Sequence, residues 1–181
     1  MCGIFLTMDP GRVLILSQAN ESRGSRGRTL EFLKVYDDTM IIGHIVAPTG
    51  NNTKPNLHPS KLNQTSLWHN GVITAPTMEA LGCDPNTWDT ACLHQALDQR
   101  GWPVLDEVDG AFACLYFDRV NLYVFRNEAA PLYHGNGEIS STPVDACVHE
   151  IEPGIIYRVA PDRLVYRGSF TNKSSPYYFG E

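Results

Sequence analysis

Long apolar runs and clustered basic residues are both missing from this sequence of 181 residues. No stretch approaches the roughly 20 apolar residues that a membrane-spanning helix needs. The first apolar segment is interrupted by Asp9, Pro10 and Gly11 and has no basic residues before it, so we do not expect a signal peptide. The net charge of −6 disfavours nucleic acid as a partner, because phosphate contacts require clustered Lys and Arg side chains. We therefore expect neither a membrane protein nor a nucleic-acid-binding protein.

Cysteine is scarce and irregularly spaced. The five cysteines are an odd number, and no two of them form a CxxC pair. This pattern predicts reduced thiols in a cytoplasmic compartment and argues against a disulfide scaffold. Cys92 and His94 lie close together, but no second pair of potential ligands accompanies them, so we expect no metal site.

Strand patterns dominate the sequence, and its length fits one domain over residues 1–181. Apolar segments separated by turn residues predict strands, most of them in hairpins. These segments are 3–16 with a turn at 9–11, 32–48 with a turn near 37–38, 65–73, 110–130 with a turn at 119–121, and 154–168 with a turn at 161–162. A long exposed loop is predicted for 49–64, which is rich in Asn, Pro, Thr and Lys.

One helix is predicted for residues 86–101, where apolar side chains repeat at helical spacing. Asn86 or Thr87 would cap its start, Gly101 would end it, and Asp89 would lie in its first turn. Weaker helical patterns cover 14–22 and 103–109. Together the segments predict an α+β fold in which two antiparallel sheets have helices outside them.

Cys2 is one cleavage away from being the first residue of the chain. Removal of Met1 would leave a thiol and an α-amine on the same residue. Their reference pKa values are both about 8, so the amine can accept the thiol proton near neutral pH. A nucleophile paired with its own α-amine needs no histidine as its base. Cys2 is therefore either such a nucleophile or a small buried residue at the start of a strand.

Asn70 and Gly71 offer the second part of an acyl-transfer site. Such a site needs hydrogen-bond donors for the oxygen of the tetrahedral intermediate. The Asn70 side-chain amide and the Gly71 backbone N–H are candidates. An Asn-Gly pair more often forms a hairpin turn, but this pair lies within an apolar strand-like run.

Nine segments of the chain occur in the same order as in one known family. They are CGIF, RGSRG, GHIVAPTG, LWHNGVI, WDT, GAFACLYFD, LYVFRNEAAPLYHG, ISS and EIEPGIIYRV. The chain thereby resembles the class II glutamine amidotransferases, which are N-terminal nucleophile hydrolases. The resemblance implies a four-layer αββα sandwich and an enzyme that hydrolyses the side-chain amide of glutamine without a cofactor. It also implies that the ammonia passes to a synthetase, which we expect to be a separate polypeptide.

The resemblance also implies a role for individual residues. Cys2 would attack the glutamine amide and form a γ-glutamyl thioester, while Asn70 and Gly71 would hold the oxyanion. Further roles follow from the matching positions: Asp89 pairs with the substrate α-ammonium, Thr49 lies beside the substrate, and Arg23 orders the chain around the nucleophile.

Val46 departs from the family pattern, because it stands where the family has an arginine that binds the α-carboxylate of glutamine. Another cation could replace that arginine, with Arg26 as the first candidate and Arg28 and Lys54 as others. Alternatively, the substrate is a different amide, such as a γ-glutamyl amine. In a third alternative, the domain is a catalytically inactive binding or assembly module.

The histidines are predicted to be structural or peripheral. We expect His44 to be packed in a strand, and His69 to face either the pocket or the core. The remaining four are expected on the surface or in turns: His58, His94, His134 and His149.

Overall fold

The computed structural model describes residues 2–21, 25, 27–46 and 57–171. Its strands are β1 (Gly3–Thr7), β2 (Gly27–Val35), β3 (Asp38–Val46), β4 (Ser60–Leu62), β5 (Thr65–Ile73), β6 (Gly110–Phe117), β7 (Leu122–Arg126), β8 (Tyr133–Gly135), β9 (Glu138–Ser140), β10 (His149–Glu150), β11 (Ile155–Val159) and β12 (Leu164–Ser169). Its α-helices are α1 (Val13–Ala19), α2 (Ala75–Ala80) and α3 (Asp89–Arg100), and shorter 3₁₀ helices cover Pro10–Arg12 and Trp102–Glu107.

The strands form two six-stranded sheets with antiparallel pairing throughout the described residues. The first sheet has the order β10-β8-β9-β1-β3-β2, and the second has the order β12-β11-β7-β6-β5-β4. This arrangement confirms the predicted α+β class with two antiparallel sheets.

Side-chain alternation along the strands builds the layers. Ile4 and Leu6 of β1 point between the two sheets, where they pack with Trp68 of β5. Phe5 points the other way and packs against Leu16 of α1. On the second sheet, the outer face of β5 packs against α2 and α3. The layers are therefore helix, sheet, sheet and helix, which positions β1 and β5 opposite each other across the inner core.

Most predicted elements are confirmed, including the hairpins β2–β3, β6–β7 and β11–β12. The predicted hairpin over 3–16 is wrong. Only its first half is a strand, and Asp9 ends that strand by capping a 3₁₀ helix through its Oδ1, which accepts from the Gly11 N–H at 2.8 Å. The weaker helical pattern that overlaps it is the one that forms, as α1.

The structure also corrects the interpretation of the cysteines and of the loop. Cys83 and Cys92 form a disulfide, so the prediction that the thiols are reduced is wrong for this pair. The predicted exposed loop falls partly outside the described residues, and its described part is only partly exposed and includes a strand. His58 is buried there, and Ser60–Leu62 pairs with β5 as β4. In the part of the chain that the structure describes, no helix combines the length and apolarity needed to cross a bilayer.

Candidate active site

Cys2 lies directly before β1 and is half-buried. Successive residues of a strand point to opposite faces, and Ile4 points between the two sheets. Cys2 is two residues earlier and therefore belongs to the same inner face. The candidate nucleophile thus begins the strand that faces β5 across the core.

Gly71 lies inside β5 and could not be replaced there without strain. Its φ angle is +147°, and a Cβ at this position would lie 1.8 Å from the Ala111 carbonyl oxygen. Residues 70 and 71 continue the strand rather than form a turn, as the apolar run around them indicated. The glycine therefore permits β5 to approach β6 closely at this point.

The Gly71 backbone faces away from β6. Gly71 is opposite Phe112, but the Phe112 N–H donates to Asn127 Oδ1 at 3.1 Å and its carbonyl accepts from the Asn127 N–H at 2.9 Å. In an antiparallel ladder both groups of one residue point to the same neighbour, so Gly71 and Phe112 are not a hydrogen-bonded pair. The Gly71 N–H accordingly points to the other edge of β5. β4 does not cover that edge, because the β4–β5 pairing ends at Leu67.

Asp89 reaches the same edge of β5 from the start of α3. Its Oδ2 accepts from the Ile73 N–H at 3.0 Å, and its Oδ1 accepts from the Thr90 N–H at 2.8 Å. The prediction that Asp89 lies in the first turn of this helix is confirmed. A carboxylate has about four acceptor positions, so this one retains capacity for a further donor. Its side chain is 22% exposed, which leaves it accessible to a small cationic group.

A serine hydroxyl links Asn70 to the strand that carries Cys2. Asn70 is on the inner face of β5 and is 3% exposed. Its Nδ2 lies 3.2 Å from Ser141 Oγ, and the same Oγ accepts from the Ile4 N–H at 3.0 Å. The Ser141 hydroxyl therefore connects Asn70 to Ile4, which lies two positions after Cys2.

The space between the two sheets is accessible to solvent next to Asn70. Val72 follows Asn70 on the inner face of β5, yet 36% of its surface is exposed. Val46, at the end of β3, also points to the inner face by alternation with His44, and it is 4% exposed. The position at which the resembled family has an arginine is thus a buried apolar side chain.

Buried histidines join β3 and β5 to the segment before β4. His44 Nε2 donates to the His69 carbonyl oxygen at 3.0 Å, and the rings of His44 and His58 stack with centroids 3.6 Å apart. Burial lowers the pKa of His44 to about 3 and also lowers that of His58, so both rings are neutral at neutral pH. The prediction for His44 is confirmed, whereas His58 is a core residue and not a surface one.

Thr90 connects these histidines to α3. His69 Nε2 lies 3.3 Å from the Ala111 carbonyl oxygen, which can only accept, so His69 Nδ1 is left as an acceptor. The Thr90 hydroxyl, 3.0 Å away, donates to that nitrogen and in turn accepts from His58 Nε2 at 3.1 Å. This chain of hydrogen bonds fixes the helix turn that presents Asp89. His69 is 2% exposed, which places it in the core rather than in a pocket.

The other described thiols outside the disulfide are poor nucleophiles. Burial raises the pKa of Cys114 well above its usual value, and it raises the pKa of Cys147 to about 12. Both groups therefore stay protonated near neutral pH. Cys92, considered above with His94, is occupied by its bond to Cys83.

Four of the predicted residues lie outside the described part of the chain: Arg23, Arg26, Thr49 and Lys54. Arg28 is described, and it lies on the outer face of β2, where its Nη1 donates to Ser17 of α1 at 2.8 Å. It therefore does not reach the inner face, and the prediction that it could replace the missing arginine is wrong.

The sequence did not indicate that Ser141, Thr90 and His94 form hydrogen bonds between separate elements of the fold. Ser141 lay in the matched ISS segment, but nothing in its local pattern indicated a partner 71 positions away. His94 was expected at the surface and is fully buried, with Ser60 and Thr65 as its hydrogen-bond partners. His134 and His149 lie in paired strands rather than in turns, and His149 is exposed, as the prediction of a surface position had it.

No family model and no curated protein matches this sequence. Solved structures do match it. Glutamine phosphoribosylpyrophosphate amidotransferase from B. subtilis, in complex with ADP and GMP, has a TM-score of 0.61 and 18% identity, covering 92% of this chain and 49% of that chain. A structure described as the allosteric regulatory enzyme of purine biosynthesis has a TM-score of 0.60 and 17% identity, covering 92% and 48%. The chain shares the fold of these two enzymes and spans about half of their length.

Proposed function

We propose that this chain is the glutamine-hydrolysing part of a class II glutamine amidotransferase, with Cys2 as the N-terminal nucleophile after removal of Met1. The observation that carries the proposal is the Asn70–Ser141–Ile4 contact, which brings a buried side-chain amide beside the strand that begins after Cys2. The fold shared with amidotransferases supports the same activity. Cys2 is also the one described thiol that is not deeply buried or disulfide-bonded.

The proposed reaction proceeds through a thioester. The Cys2 thiol transfers its proton to its own α-amine, and the sulfur attacks the amide carbon of glutamine. The Asn70 amide and the Gly71 N–H hold the oxyanion that forms. The α-ammonium returns the proton to the leaving nitrogen, ammonia departs, and water hydrolyses the thioester to release glutamate and restore the thiol.

Substrate binding in this proposal depends on Asp89, whose remaining acceptor capacity suits the α-ammonium of glutamine. Thr49 and Arg23 keep the roles that the resemblance implies, and Arg26 is the candidate replacement for the missing arginine as the partner of the α-carboxylate. The ammonia acceptor is proposed to be a separate synthetase.

Val46 supports a second candidate substrate. Its buried apolar side chain offers no partner for a carboxylate, and an arginine–carboxylate pair is among the stronger hydrogen-bonded contacts. The alternative substrate is therefore a γ-glutamyl amide whose α-carboxylate is blocked. Glutamine and its α-amide, compared at equal concentration, separate the two: faster ammonia release from the α-amide would favour the second candidate.

Replacement of the nucleophile tests the proposed function directly. Processed wild-type protein should release glutamate from glutamine and gain the mass of one label from 6-diazo-5-oxo-norleucine. Cys2→Ala should lose both properties, and Cys147→Ser should keep both because that thiol is buried and protonated. Intact mass establishes whether Met1 has been removed. Processed wild-type protein that neither turns over glutamine nor takes up the label would instead favour a non-catalytic binding module.

A further inference from the structure

The hydrogen bonds around Asn70 are incompletely paired in the orientation described above. With Nδ2 toward Ser141, the buried Asn70 Oδ1 has no hydrogen-bond partner. The Ser141 Oγ then accepts twice, from Asn70 and from the Ile4 N–H, and no acceptor among the described residues receives its hydroxyl proton. A buried polar atom without a partner costs about 1–3 kcal/mol, so this arrangement is unfavourable.

A half-turn of the amide about its Cβ–Cγ bond gives the Ser141 hydroxyl proton an acceptor and moves the unpaired position from the amide oxygen to the amide nitrogen. Oδ1 then takes the place of Nδ2 beside Ser141 Oγ and accepts the hydroxyl proton. The hydroxyl continues to accept from the Ile4 N–H, so both of its functions are used. The Asn70 NH₂ group is turned away from Ser141 and becomes a buried donor that awaits an acceptor.

We propose that Ser141 is the positioning residue of the oxyanion site, because its hydroxyl holds Asn70 Oδ1 and thereby directs Nδ2 to the reacting oxygen. This inference rests on the proposed function. The Ser141 hydrogen bond would set the orientation of the Asn70 amide. Without it, the amide could present either its oxygen or its nitrogen to the oxyanion. Presenting the oxygen would repel the developing negative charge.

The hydrogen bonds of Ser141 also connect the Asn70 amide to the strand that begins after Cys2. Ser141 exchanges two hydrogen bonds with Ile4, since its own N–H donates to the Ile4 carbonyl at 2.9 Å while its Oγ accepts from the Ile4 N–H. Ile4 is two residues from Cys2 on the same strand face. A shift of β1 would therefore move the hydroxyl that orients Asn70.

Steady-state kinetics on Ser141→Ala, Ser141→Thr, Asn70→Ala and the double variant Ser141→Ala/Asn70→Ala test this role. Ser141→Ala should lower kcat for glutamine about 10- to 100-fold, with KM changed less than about twofold, because the Asn70 donor remains but loses its fixed orientation, whereas outright loss of an oxyanion donor costs about 100- to 1,000-fold. Ser141→Thr keeps the hydroxyl and should recover most of kcat. In the Asn70→Ala background the Ser141→Ala change should have no further effect on kcat.

A purely structural role for Ser141 would give a different pattern. Equal losses from Ser141→Ala with and without Asn70 would overturn the proposal, as would an unchanged kcat in Ser141→Ala. Failure of the proposed function is distinguishable, because it appears as absence of glutamate release from the wild-type protein. The side-chain amide ¹H–¹⁵N signals of Asn70, assigned with Asn70→Ala and recorded without substrate, then test the Asn70–Ser141 contact separately from activity. They should shift in Ser141→Ala and not in Ser141→Thr, and unshifted signals in Ser141→Ala would refute the contact.

Discussion

The two ends of β5 pack against the same helix but are built differently. At the Thr65 end, β4 covers the edge of the strand, and both ring nitrogens of His94 have hydroxyl partners, at 2.7 Å and 2.9 Å. At the Gly71 end, β4 has stopped and α3 supplies Asp89 to the exposed edge. Buried atoms without partners also occur at this end, namely Asn70 Oδ1, His44 Nδ1 and His58 Nδ1.

The polar side chains of the Thr65 end are thus hydrogen-bonded to each other, whereas the Gly71 end contains buried polar atoms without a hydrogen-bond partner. Most buried polar atoms in folded proteins are hydrogen-bonded, so each exception calls for an explanation. In the proposed site the unpaired side of the Asn70 amide would meet the substrate, although unpaired buried atoms also occur away from it, such as Arg158 Nε. The Thr65 end has hydrogen bonds of the same residue types but no such requirement.

The largest expected effect comes from Gly71→Ala, which would disrupt the open end of β5. The new Cβ would meet the Ala111 carbonyl at 1.8 Å in a strained backbone conformation, so we expect a loss of about 3–4 kcal/mol in unfolding free energy. Glutaminase activity should disappear even where the protein remains folded. Gly82→Ala is the control, because Gly82 has a φ of +83° but a methyl group added there would have no atom within 4 Å. It should cost about 1 kcal/mol and leave activity intact, as denaturant titration and an ammonia assay would show.

A matched pair of threonine substitutions compares the two ends directly. Thr90→Val leaves His58 Nε2 and His69 Nδ1 without their shared hydroxyl, and Thr65→Val does the same to His94 Nε2. We expect each variant to lose about 1–3 kcal/mol of unfolding free energy. Only Thr90→Val should raise KM for glutamine, by about tenfold, because it releases the turn that holds Asp89.

Kinetic and denaturation data on the same preparations check this comparison. Equal KM values for the two variants would show that the Gly71 end is no more connected to substrate binding than the Thr65 end. A raised KM in Thr65→Val would equally remove the distinction between a stabilising end and a binding end.

The sequence predicts β5 itself but not the difference between its ends. The apolar run over 65–73 and the helical spacing over 86–101 depend on local periodicity: β5 forms as predicted, and the helix forms and stops before Gly101 as predicted but begins at Asp89, with Trp88 rather than Asn86 or Thr87 as its N-cap. The edge left open by β4 depends on where a three-residue strand stops, and the Ser141 bridge joins residues 71 positions apart. Local patterns carry no information on either feature. His58 and His94 were misplaced for the same reason, since their burial comes from partners on other elements.

In the Asp9 segment, by contrast, the local sequence did contain a structural signal, but the signal fitted two structures. Asp-Pro-Gly fits a hairpin turn and also fits the start of a helix, because Pro is favoured at the first helical positions and Asp at the cap. Packing of Leu16 against Phe5 selects the helix. The Cys83–Cys92 bond illustrates a related case, since a separation of nine residues identifies no pairing until α3 brings the two sulfur atoms together.

The smallest difference we expect between the two ends is in how strongly each contributes to the pH dependence of stability. His44 and His58 are neutral when folded, because burial lowers their pKa values, but both gain protons in the unfolded chain below about pH 6.5. The unfolded state then binds more protons, so their contribution to stability is complete above pH 6.5 and is lost as the pH falls toward 3. Each such histidine adds a slope of up to about 1.4 kcal/mol per pH unit.

Replacing one histidine at each end measures this difference. His58→Gln should lower stability at pH 7 but reduce the acid-side slope by nearly one proton. For His94 the nearby Asp98 charge opposes the effect of burial on the pKa, so His94→Gln should reduce the slope less. Urea titrations from pH 7 to pH 4 give both slopes. If His94→Gln flattened the curve as much as His58→Gln, the acid sensitivity would belong to the buried histidines in general, and the Gly71 end would lose its distinct electrostatic character.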